Sequence, residues 1–379
     1  MSVMSWRRSP IAARHRALGS DLEDWNGMET AWTYSTSSLP DQHEAIRTRA
    51  ALMDVSGLRK VHVVGEHSHH LLQLATTRDV RKIYPGRSVY AAMLNEDGKF
   101  ADDCILYRTG PNSWLVVHGS GSGHEQLLKA AAGKNVALLF DDDLQDLSLQ
   151  GPLAVEYLAK HVPGIRELPY FHHLQTTLFG KHVMISRTGY TGERGYEIFC
   201  RREDALEIWD TILEEGAAMG IVPASFTCLD WLRVESYLLF YPYDNSQMYP
   251  FENEGPGDSL WELGLDFVVS PGKSGFRGAE EHYRLKGLER FKIFGVLADT
   301  DQPTEAGDEL WTQGKKVGVI TCGMYSRLTN RSMAIARMDV AVAVEGTALE
   351  VRGANGVCSA IAHSITFDDP QKLKRTAKG

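Results

Sequence analysis

Ser186-Arg187-Thr188-Gly189-Tyr190-Thr191-Gly192-Glu193-Arg194-Gly195-Tyr196-Glu197 is the stretch on which the reading of this chain turns. Its glycines, Gly189, Gly192 and Gly195, let the backbone turn tightly and come close to a ligand, because no Cβ stands in the way. Taken alone, that spacing is a turn signal. It does not open a helix after a strand, so it is not a dinucleotide-binding fingerprint. The stretch closes on a carboxylate, Glu197, which without further context reads as a solvated strand glutamate.

Working outward, Thr176–Ile185 (TTLFGKHVMI) reads as a hairpin strand pair, Arg202–Gly216 as an amphipathic helix and Ser225–Tyr237 as a second helix. Upstream, Asp41–Ala51 reads as a short helix leading to a strand at Val61–Val64, and His67–Thr77 has helical spacing of its apolar residues. Ser88–Leu94 and Asp103–Tyr107 pair around Asn95–Lys99 (NEDGK), an Asp-Gly turn of the kind hairpins favour. Trp114–Val117 is a further strand, followed by a glycine-rich turn at Gly119–Gly123, a helix from near His124 and another near Leu153–His161. Tyr241–Asp258 reads as a long surface loop. Beyond Phe291, short alternating runs separated by Gly, Asp or Asn turns indicate a small β-barrel or sandwich.

The chain has 379 residues, enough for two or three structural units. Acidic residues number 49 against 40 basic, with no basic run, which excludes a phosphate-neutralising surface and with it nucleic-acid binding. The five cysteines are dispersed, with no CxxC or CxxH spacing, arguing against disulfides and structural zinc and for a reducing cytoplasm. No window approaches the roughly 18 apolar residues of a membrane helix. The expectation is a cytoplasmic protein with no membrane partner. His69-His70 and His172-His173 are adjacent pairs whose side chains diverge, so no metal site is expected.

Several segments together resemble the aminomethyltransferase family of the glycine cleavage system and its folate-dependent demethylase relatives. They are Asp54-Val55-Ser56, Thr76-Thr77-Arg78-Asp79-Val80, Pro85-Gly86-Arg87-Ser88-Val89-Tyr90, Leu94-Asn95-Glu96-Asp97-Gly98 with Asp102-Asp103, Gln150-Gly151-Pro152, the opening stretch, Leu232-Arg233-Val234-Glu235 and Gly264-Leu265-Asp266. They occur in order along nearly the whole chain. The resemblance implies an α+β fold: a three-domain cloverleaf with a central folate channel and a C-terminal β-barrel. Its divisions would be residues 1–50 plus 140–225 as a discontinuous first folate-binding domain, 51–139 plus 226–285 as the second, 286–370 as the barrel, and 371–379 as a flexible tail.

Tetrahydrofolate is the cofactor the resemblance implies. Glu197 matches the carboxylate that accepts two side-by-side pterin donors, an orientation-fixing, charge-assisted pair. Tyr190, Arg233 and Tyr90 match further folate contacts; read without it, Arg233 is a helix-surface arginine and Tyr90 a core tyrosine. The resemblance implies a catalytic aspartate here, close to the reactive folate nitrogens; the spacing from Tyr90 favours Asp103 as that candidate, since strand alternation sends Asp102 to the opposite face. A carboxylate there can orient the cofactor, stabilise positive charge or relay a proton.

Departures from the family pattern fall on the substrate side. Gly57 stands where a histidine is usual, His118 where an asparagine is usual, and Ser326-Arg327-Leu328-Thr329 replaces a proline-containing segment. Gly57 and His118 are therefore the substrate-binding candidates. His118, facing the channel, would protonate a leaving oxygen or bind a substrate carboxylate, making it a second catalytic candidate; a lone histidine is otherwise a packed or surface residue. The resulting expectation is a dicamba-type, tetrahydrofolate-dependent demethylase. It would move a methyl group from a small-molecule donor, an O-methyl aromatic acid, to N5 of the cofactor, with no lipoyl carrier protein involved. The alternatives are aminomethyl transfer in glycine cleavage and a non-catalytic folate-binding protein serving iron–sulfur assembly or repair.

Overall fold

A computed structural model describes residues 7–241, 243–246, 248–249, 257–363 and 366–378. The Asn95–Lys99 turn forms as its residues dictate. Asn95 Oδ1 accepts from the amides of Asp97 (3.1 Å) and Lys99 (2.9 Å). Gly98 takes φ +70°, and a Cβ there would lie 2.4 Å from the His282 nitrogen, so only glycine fits. The turn joins Ser88–Leu94 to Phe100–Gly110 in a five-stranded sheet. Its order is Ser88–Leu94, Phe100–Gly110, Ser113–His118, Arg59–Val64 and Ala137–Phe140. Helices Ser68–Ala75 and Gly123–Ala131 cover one face, burying Val61, Val63, Leu106 and Val116.

A six-stranded sheet has the order His173–Leu178, Lys181–Ser186, Gly195–Arg201, Leu144–Gln150, Ala50–Asp54, Ile221–Pro223. Its outer face packs on Ala154–Leu158 and Arg202–Gly216 through Leu147, Leu149, Ile198, Ile208 and Trp209. Leu149 is fully buried, and truncating such a leucine to alanine costs about 2–5 kcal/mol. The inner faces of the two sheets meet at Tyr107, Leu115 and Val117 against Met184 and Phe199.

The third unit is a closed six-stranded barrel. Phe291–Ala298 pairs with both Arg331–Asp339 and Gly356–His363 to complete it. One end packs on the helix Phe226–Glu235 and the NEDGK hairpin through Phe291, Ile293, Met324 and Ile335 against Val234, Leu94 and Phe100. The α+β architecture with a C-terminal barrel is therefore as the sequence indicates. Half of the expected loop Tyr241–Asp258 (242, 247 and 250–256) lies outside the described residues.

Two boundaries shift. Ala50–Asp54 is one strand of the six-stranded sheet, paired with Leu144–Gln150 and Ile221–Pro223, so the first unit extends to Asp54 rather than ending at residue 50. The segment read as a flexible tail is docked. Leu373–Thr376 is a helical turn with Arg375 buried, and Arg187 donates to the carbonyls of Arg375 (3.2 Å) and Ala377. Its basic composition hid carbonyl acceptors and an acidic partner: Lys374 Nζ lies 3.1 Å from Glu193.

Candidate functional site

Glu197 lies on Gly195–Arg201, opposite Ser148 and Ser186 in the register. Ile198 packs into the outer core, so alternation turns Glu197 inward, into the gap between the two sheets. Tyr107 donates to Glu197 Oε2 at 3.2 Å, and the Thr188 hydroxyl donates to the same oxygen. Oε1 has no hydrogen bond among the described residues, so one edge of the carboxylate keeps its acceptor capacity. Burial raises the Glu197 carboxyl above its ordinary range, against the two hydroxyl donors and the charge of Lys60.

The glycines beside it serve close approach. A Cβ on Gly189 or Gly195 would fall 2.2 or 2.1 Å from Gln150 Oε1. Gln150 is itself tied to Ser148, Thr188 and Thr191. Gly192 has φ +82° and lies against Ser236 Oγ. From the other side, Arg47 donates to the Thr191 carbonyl (2.8 Å) and to Glu193 (3.0 Å), fixing the whole turn to the helix Leu39–Thr48.

Asp103 enters the gap from the facing sheet. Ala92 is its direct cross-strand partner and Tyr90 its diagonal one, so Tyr90 shares its face and donates to Asp103 Oδ2 at 2.8 Å. Burial and the neighbouring charge of Asp102 push the Asp103 carboxyl up to about 7, and the Tyr90 hydrogen bond only partly offsets this. Burial, with Asp103, keeps the Tyr90 hydroxyl protonated. Tyr190 is also within electrostatic reach of Asp103 and donates to the Leu239 carbonyl. Behind Glu197 lies a buried seam in which Lys60 Nζ donates to the Ser56 carbonyl at 2.7 Å. Burial lowers this ammonium to about 8, against the attraction of Asp146.

Two expected site residues, His118 and Gly57, are placed elsewhere, and a third, Arg233, stays beside Tyr190 but is engaged by its own surroundings. His118 pairs with Cys104 in register, putting it on the helix-covered face, opposite Asp103. It is buried, with Nδ1 2.8 Å from Asp102 Oδ2, and so does not reach a substrate in the gap. Gly57 does not widen a channel: the Trp25 indole fills the space, with Cε3 2.3 Å from where a Cβ would stand. Arg233 is engaged within the protein. Its Nε donates to Asp230 (2.7 Å), and its Nη1 donates to Asp244 and to the Leu238 carbonyl (3.2 Å). It thus ties its helix to Leu238 and Asp244.

Other members of the site were not singled out in the sequence. Tyr107 shares the parity of Asp103 along one strand, so alternation could have found it. Thr188 stood inside the opening stretch. Arg375 carried no local signal. It joins Tyr170, whose hydroxyl it hydrogen-bonds, with Thr188, Gly189, Gly192, Glu193 and Gly195 around a narrow cleft beside Glu197, and its buried Nε and Nη2 have no hydrogen-bond partner among the described residues. A carboxylate with a free edge, a carboxyl poised near neutrality and an arginine with spare donors together suit a flat heterocycle with an anionic arm.

Known proteins resemble this chain along nearly its whole length. The family model for the GCVT N-terminal domain matches residues 11–272, and that for the glycine cleavage T-protein C-terminal barrel domain matches 292–368. The chain is 70% identical to the heme-dependent oxidative N-demethylase gamma subunit of Ectopseudomonas mendocina, over 99% of both chains. It is 31% identical to the aminomethyltransferase of Bacillus pumilus, over 91% of this chain and 94% of that one. It is 32% identical to the trimethylamine-oxide aldolase of Ruegeria pomeroyi, covering 93% of this chain but 46% of that protein. Among solved structures, the glycine cleavage aminomethyltransferase of Bartonella henselae superposes with a TM-score of 0.86 at 25% identity, over 97% of this chain and 99% of that one. No helix among the described residues is long and apolar enough to cross a membrane.

Proposed function

The chain belongs to the glycine cleavage T-protein (GCVT) family, and on that premise we propose that it is a tetrahydrofolate-dependent one-carbon transferase working as a subunit of an oxidative N-demethylase. The observation that carries the second half is 70% identity, end to end, to a chain named as the gamma subunit of such an enzyme. The O-methyl aromatic donor expected from the sequence has no counterpart among these relatives, two of which are named for chemistry on methylated nitrogen. The one-carbon source is therefore an N-methyl amine. Because its removal is oxidative, the carbon arrives at the aldehyde level rather than as a methyl group.

The residues fit the cofactor. Glu197, held through Oε2 by Tyr107 and Thr188, offers Oε1 to the donors of a pterin edge. Arg375 offers Nε and Nη2 to an anionic arm. Tetrahydrofolate, when bound, supplies neighbouring amine nitrogens that take up a one-carbon unit. An aldehyde oxygen that left as water there would need a proton delivered to it by the protein. In this reading Asp103, near neutrality and oriented by Tyr90, delivers it.

The test supplies purified protein and tetrahydrofolate with formaldehyde, with a lipoylated aminomethyl carrier, or with a methoxybenzoate panel. This reading expects 5,10-methylene-tetrahydrofolate from formaldehyde faster than the uncatalysed reaction, and no 5-methyl product from the methoxybenzoates. Formation of 5-methyl-tetrahydrofolate from a methoxybenzoate would return the assignment to O-demethylation.

A further inference from the structure

The face of the sheet opposite Asp103 carries a second built cluster. Asp102 is entirely buried there and accepts three hydrogen bonds. Oδ1 takes the Asp103 amide at 2.9 Å, and Oδ2 takes the Gly123 amide at 2.9 Å with His118 Nδ1 at 2.8 Å. His118 Nε2 in turn lies 2.5 Å from Nδ1 of His124, on the half-exposed side of the helix Gly123–Ala131. Two glycines of the Gly119–Gly123 turn exist to let this cluster close. A Cβ on Gly123 would come 2.6 Å from His118 Nδ1 and 2.7 Å from Asp102 Oδ2, and one on Gly121 would come 2.7 Å from Asp102 Cγ. The helix N-terminus is thus pressed directly on the Asp102 carboxylate, where its amide dipoles favour a negative charge.

We propose that His118 is a positioning residue for the chemistry at Asp103: from behind the strand it pins Asp102 to the helix, and Asp102 holds and electrostatically loads Asp103. The inference rests on the one-carbon reading of Asp103 given above. Two consecutive aspartates on one strand point to opposite faces, so the reactive carboxyl cannot be buttressed by side chains on its own side without filling the substrate gap. The Asp102 Oδ1 bond to the Asp103 amide buttresses it through the backbone instead. Charge acts the same way, because Asp102 is one of the groups that raise the Asp103 carboxyl. The other groups acting on Asp103 are Tyr90 from the adjacent strand, Tyr190 from the facing turn and Cys104 beside it. Those around His118 are Asp102, His124 and Arg59, its cross-strand partner.

Removing His118 takes away one of the donors that stabilise the Asp102 carboxylate. The Asp102 carboxylate is then no longer pinned at the foot of the helix, its charge is no longer held beside Asp103, and Asp103 releases its own proton at lower pH. The experiment is a carboxyl-carbon NMR titration of Asp103 in the full chain without cofactor, with the signal assigned by its absence in Asp103→Asn. It is paired with kcat and KM for tetrahydrofolate under saturating formaldehyde. In His118→Leu, or the strand-compatible His118→Val should leucine not fold, the Asp103 midpoint is expected to fall by about one pH unit. The kcat should drop about tenfold while KM stays within about twofold. His118→Asn, which keeps a donor toward Asp102, is expected to restore both. An unchanged or raised midpoint in the apolar variants overturns the inference, as does a loss confined to KM. Full turnover in Asp103→Asn would instead overturn the one-carbon reading of Asp103, so the two failures are distinguishable.

Discussion

Tyr90 donates a 2.8 Å hydrogen bond to Asp103 Oδ2 across a diagonal of the antiparallel ladder, and among the described residues it is the one side-chain contact that opposes the upward shift of that carboxyl. Burial and Asp102 drive Asp103 toward neutrality, and Tyr90 limits how far it goes. The proton-donating form of Asp103 is therefore set by the balance between the two faces of one strand.

Tyr90→Phe removes the restraint. The Asp103 carboxyl then rises above its value of about 7. Activity that depends on the protonated form survives to higher pH, so the alkaline limb of the kcat profile moves up by about one unit. A pH–rate profile on the variant checks this, and a limb that stays or moves down contradicts it.

How far the site was legible depended on whether its members were neighbours in sequence. The opening stretch supplied Glu197, Tyr190 and the glycines within twelve residues, and the NEDGK hairpin fixed which aspartate of the pair faces inward. His118 could not be placed, because its facing depends on the pairing of Ser113–His118 with Phe100–Gly110, and a one-residue change of register would have turned it into the gap. Arg233 looked available because its partner Asp244 lies in an irregular segment with no pattern to predict it. Gly57 looked like an opening because nothing local shows that Trp25, thirty-two positions earlier, fills the space. The docked C-terminus was invisible for the same reason, since its partners Arg187 and Glu193 are almost two hundred residues away.

Glu235 anchors the turn indirectly. It holds Arg47 Nη2 at 2.7 Å and His43 Nε2 at 2.8 Å, while Arg47 holds Thr191 and Glu193. Burial opposes the Glu235 charge, but Arg47 and His43 outweigh it and bring the carboxyl down to about 2 from an ordinary 4.5. A depressed carboxylate stabilises the fold above its unfolded value. That contribution is lost as the pH falls from 4.5 toward about 2. Glu235→Gln leaves Arg47 without its main counter-charge and is expected to cost about 3–5 kcal/mol at neutral pH. Denaturant unfolding at pH 7 and pH 3 measures both effects; the difference between the variant and the wild type should narrow at the lower pH.

Deleting residues 370–379 removes the carbonyls that accept from Arg187, the Lys374–Glu193 pair and the Arg375 guanidinium beside the cleft. The truncated chain is expected to fold, because the tail adds no sheet strand. It should bind tetrahydrofolate about tenfold more weakly, the loss of a charged hydrogen-bonding group. Equal affinity in the truncated and full-length proteins would show that Arg375 contributes nothing to the ligand.

The central claim, that the gap between the two sheets is a tetrahydrofolate site anchored at Glu197, is tested most directly by titration calorimetry of the cofactor into wild-type and Glu197→Gln protein. The glutamine keeps the shape and can still accept from Tyr107 and Thr188, but it loses the charge on the free edge of the carboxylate. The account predicts affinity weaker by about 10–100-fold, the worth of a charge-assisted pair, with the melting temperature unchanged or raised because a buried charge is gone. Equal affinity in the two proteins would contradict it.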